Sequence, residues 1–169
     1  GYSTKNSGGV PDNFKNWFVV KFDRPFETYM IYDSPEHPVE GANALASDHV
    51  LASVGFATER GEKVNIQTAS SFISLEQAWR NLQEVEDKEF AQVKESAKDR
   101  WNEVLGRIQV GGGTEDQYRT FYSCLYRSTL FPRKFYEIDE NGNPIHYSPY
   151  NGKICEGYLY TDTGFWDTF

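Results

Sequence analysis

The last five residues, Phe165-Trp166-Asp167-Thr168-Phe169, hold the pattern best suited to chemistry. A Trp can stack its indole on the apolar face of a sugar ring. An ionised Asp one residue on can accept hydrogen bonds from two adjacent hydroxyls. The same pair also suits a buried Trp beside an N-capping Asp167 that opens a helix, and the residues alone leave both readings open. Other patterns are weaker. Gly111-Gly112-Gly113-Thr114 precedes a helical stretch but lacks the Lys-Ser/Thr of a phosphate loop. His37, His49 and His146 are not spaced with another His, Cys or carboxylate as metal ligands usually are. Asp139, Asn141 and Asn143 resemble the start of a calcium loop, yet Pro144 stands where Gly is needed and Tyr150 where Glu is needed. There is no G-x-S-x-G elbow for a serine hydrolase. Cys124 and Cys155 fit neither a CxxC redox pair nor a zinc pattern. Both lie among apolar and aromatic residues, so two buried free thiols are expected; a single disulfide is the alternative in an oxidising compartment.

Such residues need a frame, and the chain offers two kinds. Up to Phe72 the patterning is that of strands. Trp17 to Phe22 reads as a buried strand, Phe26 to Ile31 as a second, His49 to Thr58 as a third, and Val64 to Phe72 as a fourth at period two. Residues 33–48 read as a long loop, and Arg60-Gly61-Glu62-Lys63 as a turn. Strands joined by loops without helices between them point to an antiparallel sheet or sandwich. Ser74-Leu75-Glu76-Gln77 is then a capping box, with Leu75, Ala78, Trp79, Leu82 and Val85 at helical spacing. A longer helix repeats Phe90, Val93, Ala97, Trp101, Val104, Leu105 and Ile108, with Lys94 to Arg100 on its wet side. Thr114-Glu115-Asp116-Gln117 caps a third helix, which Pro132 ends and which is aromatic on more than one side. Asn141-Gly142 marks a hairpin turn. The chain stops on an apolar residue in mid-pattern, so it is expected to be part of something longer.

Composition narrows the function classes. The 169 residues hold 25 Asp and Glu against 17 Lys and Arg, a net charge of −8. That balance argues against a nucleic-acid partner, whose sites need clustered Lys and Arg. No apolar run approaches the roughly 20 residues of a membrane-spanning helix. No signal peptide and no Asn-x-Ser/Thr sequon is visible, which fits a bacterial origin. Four Trp, 11 Tyr and 12 Phe are many for this length, which keeps a sugar-binding role in view.

Several segments in order resemble glycoside hydrolase family 92, the bacterial calcium-dependent exo-α-mannosidases. They are Ser71-Phe72-Ile73-Ser74-Leu75-Glu76-Gln77-Ala78 with Asn81-Leu82, then Trp101-Asn102, then Gly113-Thr114-Glu115-Asp116-Gln117. Phe121-Tyr122-Ser123-Cys124-Leu125-Tyr126-Arg127 follows, and Gly157-Tyr158 with Phe165-Trp166-Asp167-Thr168-Phe169 closes the series. The resemblance covers most of residues 14–169. It implies an α+β fold: part of an antiparallel β-sandwich, linker helices, and the first elements of an (α/α)6 barrel. Residues 1–73 would be the later part of the sandwich, 74–110 the linker, and 111–169 the entry to the barrel.

The resemblance further implies hydrolysis of terminal α-mannosides, N-glycans included, with inversion at the anomeric carbon. It places the general acid, the general base and the ligands of a Ca²⁺ ion beyond this stretch, so no residue here is given those roles. In the Trp-Asp-Thr motif, Asp167 would bind hydroxyls of the terminal mannose and Trp166 would wall that subsite, while Thr168 and Phe169 pack. The implied partners are mannose-containing glycans and the remainder of the chain, with self-association through the exposed third helix as a further expectation. The implied location is periplasmic, cell-surface or secreted in a bacterium. The competing reading is a non-catalytic carbohydrate-binding β-sandwich module, which needs aromatics such as Trp17, Tyr29 and Tyr32 exposed in a row. A ligand-free structural domain is the blander alternative.

Overall fold

The structure, a computed structural model, describes residues 1–161 and is α+β. It divides into two compact units, Gly1–Val20 with Gln67–Phe169, and Lys21–Ile66.

The larger unit is organised around one helix on one sheet. Strands β1 (Tyr2–Ser3), β2 (Asn16–Phe22) and β6 (Ile66–Ser71) form a sheet in the order β1-β2-β6, and β1 pairs antiparallel with β2. Alternation along β2 sends Val19 inward and leaves Phe18 and Val20 exposed on the other face. Helix α1 (Leu75–Glu86) covers the inner face. Its Ala78 and Leu82 are fully buried against Val19, with Trp17, Ala69, Leu75 and Val85 packed round them. The helix starts where expected, because Ser74 accepts from the Gln77 amide at 3.1 Å. The reciprocal half of the expected capping box does not form. Ser71 Oγ accepts from the Ser74 N–H at 3.3 Å instead, and the Gln77 side chain points elsewhere. Trp79, expected on the apolar face, is 49% exposed.

Helices α2 (Phe90–Leu105) and α3 (Glu115–Ser128) follow, and neither has a buried residue. They touch through the Trp101 and Tyr126 rings, 4.6 Å apart. Tyr122 adds a hydrogen bond to the Ile108 carbonyl at 3.2 Å. Ile108 itself lies beyond the end of α2, which stops at Leu105 before Gly106. The capping box of α3 is complete in both directions, between Thr114 and Gln117. Cys124 is exposed and Cys155 half-buried, both as free thiols, so neither is the fully buried cysteine expected.

Past α3 come β7 (Arg133–Lys134), β8 (Glu137–Ile138), β9 (Pro144–Tyr147), β10 (Ile154–Glu156) and β11 (Tyr160–Thr161). They make a three-stranded sheet, β10-β9-β8, and the pair β11-β7, with antiparallel pairings in both. The hairpin between β8 and β9 turns at Asn141-Gly142 as its sequence predicts, with Gly142 at φ +82°. Asp139 braces the turn: Oδ1 accepts from the amides of Asn141 and Asn143 at 2.8 and 2.7 Å. These bonds to the charged form, that from Asn143 above all, hold its carboxyl below the usual range. The N-terminal loop is pinned to this region. Asn13 donates to the Gly152 carbonyl at 2.9 Å and accepts from the Tyr147 hydroxyl at 3.1 Å. At Gly152 a Cβ would run into the Asn13 side chain, and φ is +70°. An aromatic row runs through the same region: Phe135 stacks on Phe72 at 4.8 Å, Phe72 meets Phe14 at 5.6 Å, and Phe14 meets the buried Tyr147 at 5.9 Å.

The smaller unit is a three-stranded antiparallel sheet, β4 (His37–Val39), β3 (Thr28–Ser34) and β5 (Leu51–Gly55), with β3 central. Strand β4 lies within residues 33–48, which the sequence reads as loop. Its Pro38 sits on an edge strand, where a missing N–H is tolerated. Asn65 donates its backbone and side-chain N–H groups to Asp23 Oδ2 at 3.0 and 2.7 Å, and Arg24 binds Glu62. These contacts close the unit where the chain enters and leaves it.

Two outcomes follow. Leu82→Ala should destabilise the chain by about 2–5 kcal/mol, the usual span for a fully buried Leu, whereas Phe90→Ala, at a side chain 74% exposed, should stay within about 0.5 kcal/mol. Denaturant titration checks both. Because the Asp139 pKa is depressed in the folded state, its contribution is present above the unfolded carboxylate pKa of about 3.9 and lost as pH falls through the lower folded value. Amide exchange at Asn141 and Asn143 should therefore lose protection in that acid window, and Asp139→Asn should remove the dependence.

Candidate functional site

Trp166 and Asp167, the residues singled out from the sequence, lie outside the described residues, as do Thr168 and Phe169. The strand that leads to them is described. In β11, Tyr160 pairs with Lys134 and Thr161 with Arg133 of β7. The Phe135 amide donates to the Leu159 carbonyl at 2.8 Å. Upstream, Gly157 is clamped to β9 from both sides. Its amide donates to the Pro144 carbonyl at 2.7 Å, and its carbonyl accepts from His146 Nδ1 at 2.9 Å. A carbonyl can only accept, so Nδ1 carries the proton in that bond. His146 is a strap between strands.

Three tyrosines gather on this platform. The Tyr136 ring stands edge-on to Tyr158 at 4.8 Å and to Tyr160 at 5.7 Å, and the Lys134 ammonium lies 5.9 Å from its centroid. Tyr158 and Tyr160 remain more than half exposed. Partial removal from water, followed by the neighbouring Tyr136, raises the Tyr160 pKa.

The platform is tied to the rest of its unit by a polar corner. Glu137 Oε1 accepts from the Phe72 amide at 2.9 Å, and Oε2 from Asn81 Nδ2 at 2.7 Å. Asn81 Nδ2 also donates to the Ser70 carbonyl at 2.8 Å. Asn81 Oδ1 accepts from Gln77 Nε2 at 3.0 Å, and Gln77 Nε2 donates to the Ile138 carbonyl at 2.7 Å. Both amide nitrogens therefore spend both hydrogens, and both carboxylate oxygens receive one. Periodicity could not reveal this corner. Asn81 stands on α1 and belongs to the motif series, but Glu137 is 56 residues away in sequence and its own neighbours carry no distinguishing pattern.

The remaining candidates have structural partners. Each described carboxyl side chain with a displaced pKa is displaced downward. Asp23 is lowered by Asn65, Glu62 by Arg24, Glu76 by its own amide and Ser74, and Asp139 by Asn143. A general acid needs the opposite shift, so that it keeps its proton near neutrality. Asp139 spends its oxygens on Asn141 and Asn143, which removes it as a calcium ligand. Among the described residues no group of three His, Cys, Asp or Glu is placed to hold a metal ion. His37 Nδ1 pairs with Asp33 at 2.8 Å on an exposed hairpin, and His49 precedes β5, which starts only at Leu51. At the start of α3 the capping box uses two amides internally, as Thr114 Oγ1 accepts from Gln117 and Gln117 Oε1 from Thr114. Trp17 packs on the core beside Tyr2 at 4.9 Å. Tyr29 and Tyr32, three apart on β3, face opposite sides of their sheet, so these two rings do not share the single face that a row on that sheet requires.

Comparison with known proteins places this frame. The glycosyl hydrolase family 92 catalytic domain matches residues 77–169. An inverting mannosidase of family GH92 from Bacteroides thetaiotaomicron VPI-5482 is 48% identical, with a TM-score of 0.92 over 99% of this chain and 23% of its own. A second family GH92 α-mannosidase from Bacteroides thetaiotaomicron shares the fold at 22% identity and TM-score 0.75, over 95% of this chain and 22% of its own. It has also been solved in complex with mannoimidazole. A protein of Arthroderma benhamiae described as an uncharacterized secreted glycosidase is 33% identical over 78 residues, 43% of this chain and 10% of that protein. The chain thus spans less than a quarter of the length of these relatives. With the catalytic-domain match covering more than half of its residues, the chain belongs to glycosyl hydrolase family 92.

Proposed function

We propose that the chain is the sandwich-to-barrel portion of an exo-α-mannosidase that removes terminal α-linked mannose from glycans, N-glycans among them, with inversion. The observation that carries this reading is the 48% identity, along 99% of the chain, to an inverting mannosidase. In an inverting reaction a carboxylic acid protonates the leaving oxygen while a carboxylate about 6.5–9.5 Å from it activates water on the opposite face. Those two groups, and the ligands of the calcium ion that this reading includes, are assigned to parts of the protein beyond residues 1–169. The chain's own contribution is recognition. Asp167 accepts hydrogen bonds from hydroxyls of the terminal mannose, and Trp166 walls the subsite with its indole face. The reading places the protein outside the cytoplasm of a bacterium, where glycans are met. No described helix is long and apolar enough to cross a membrane.

Residues 1–169 alone, supplied with Ca²⁺, should release no mannose from α-mannosides. A protein that continues through the rest of the catalytic domain should release it, with β-mannose as the first product by NMR. In that longer protein Asp167→Asn should lower kcat/KM by about 100-fold, the scale of a lost charged hydrogen-bond acceptor. Turnover by residues 1–169, or none by the longer protein, would refute the proposal.

The bare helices give a second outcome. Each Å² of apolar surface removed from water is worth about 25 cal/mol, and neither α2 nor α3 buries a residue. The isolated chain should therefore self-associate at micromolar concentration in sedimentation velocity. A monodisperse monomer with α3 protected from amide exchange would count against it.

A further inference from the structure

We infer that Glu137 is a positioning residue, whose ionised carboxylate locks the β8–β9 hairpin to the corner between β6 and α1 and so sets the frame from which β11 departs. The lock joins three elements that no backbone ladder connects. The Phe72 amide just past β6, the Asn81 side chain on α1 and the carboxylate on β8 meet at 2.9 and 2.7 Å. Gln77, itself buried, closes the same corner by donating to the Ile138 carbonyl at 2.7 Å. The position reaches β11 through a short series of bonds. Strand β8 pairs with β9 through Glu137–Ile145 and Ile138–Pro144; β9 holds Gly157 through Pro144 and His146; and the Leu159 carbonyl accepts from Phe135.

The polarity of the corner is fixed throughout. Asn81 Nδ2 has spent its hydrogens on Ser70 and Glu137, and Asn81 Oδ1 already accepts from Gln77, so a flipped amide would set its oxygen against two acceptors and its NH2 against a donor. Glu137 faces donors at both oxygens, so only the acceptor-only carboxylate suits the site. Glu137→Gln keeps the size and sets an NH2 group against a donor. Asn81→Asp sets one carboxylate against another and against the Ser70 carbonyl. In the double variant the polarity of the central contact is reversed. The new amide at position 137 donates to the new carboxylate at position 81 and still accepts from Phe72, while the Ser70 carbonyl still faces a carboxylate oxygen where it had a donor, so recovery is partial. Packing volume hardly changes in any of the three, so recovery in the double variant reports the lock and not the filling of space.

The test is amide exchange at Phe72 and along residues 137–147, with thermal unfolding of the same 169-residue chain. Each single variant should speed exchange at Phe72 and in the hairpin by about tenfold or more, the scale of a broken charge-assisted hydrogen bond. The double variant should regain at least half of that protection on a logarithmic scale. If Glu137→Gln does not fold, recovery of folded protein on adding Asn81→Asp supports the lock equally, and failure to recover overturns it. Additive losses, or single variants with unchanged exchange, also overturn it. None of these readouts needs turnover. The link from β11 to the mannose subsite rests on the proposed function, and a failed mannosidase assay with a confirmed lock would refute that link alone.

Discussion

One carboxylate has to satisfy two donors that arrive from different parts of the chain, and the larger unit is arranged so that it can. The apolar contact beneath it is small: Val19, Ala78 and Leu82 are its buried members. Apolar packing is tolerant of direction and would allow the strands after α3 to settle at several angles. The Glu137 corner is not tolerant, since hydrogen bonds in a half-buried place must be made in full or cost about 1–3 kcal/mol for each group left unpaired. Helix on sheet supplies the affinity between elements, and the polar corner supplies their register.

That division of labour explains what the amino-acid pattern revealed. Features decided within a few residues were legible. Ser74 and Thr114 begin their helices, Asn141-Gly142 turns its hairpin, and the first half of the chain is strands. Features decided by distant partners were not. Gln77 was expected to close its own capping box, but Ile138 and Asn81 compete for the same amide and win it. Trp79 satisfies helical periodicity yet stays half exposed, because periodicity marks a stripe without saying how far the covering sheet extends. Strand β4 escapes the pattern because Pro38 and its polar neighbours are loop-like, and an edge position forgives both.

The candidate site shows the same limit from the other side. Trp166 and Asp167 could be singled out because a large indole beside a carboxylate is chemically suggestive, and the ordered motifs then attached that pair to a family. Glu137 could not be singled out, since its importance lies in what converges on it. The family match agrees with the frame, and the downward-shifted carboxylates of that frame are suited to holding turns and caps.

The pin between Asn13 and Gly152 joins residues 139 apart in sequence, and the Tyr147 hydroxyl meets the same side chain across 134. Contacts of such span are the slowest to form and come after local helices and hairpins. During synthesis the N-terminal loop must leave the ribosome and wait for almost the entire described chain before its partner exists, at about 5–20 residues per second. Strand β2 waits less long, because α1, which buries Val19, is made well before Gly152, so helix and sheet can close before the loop is pinned.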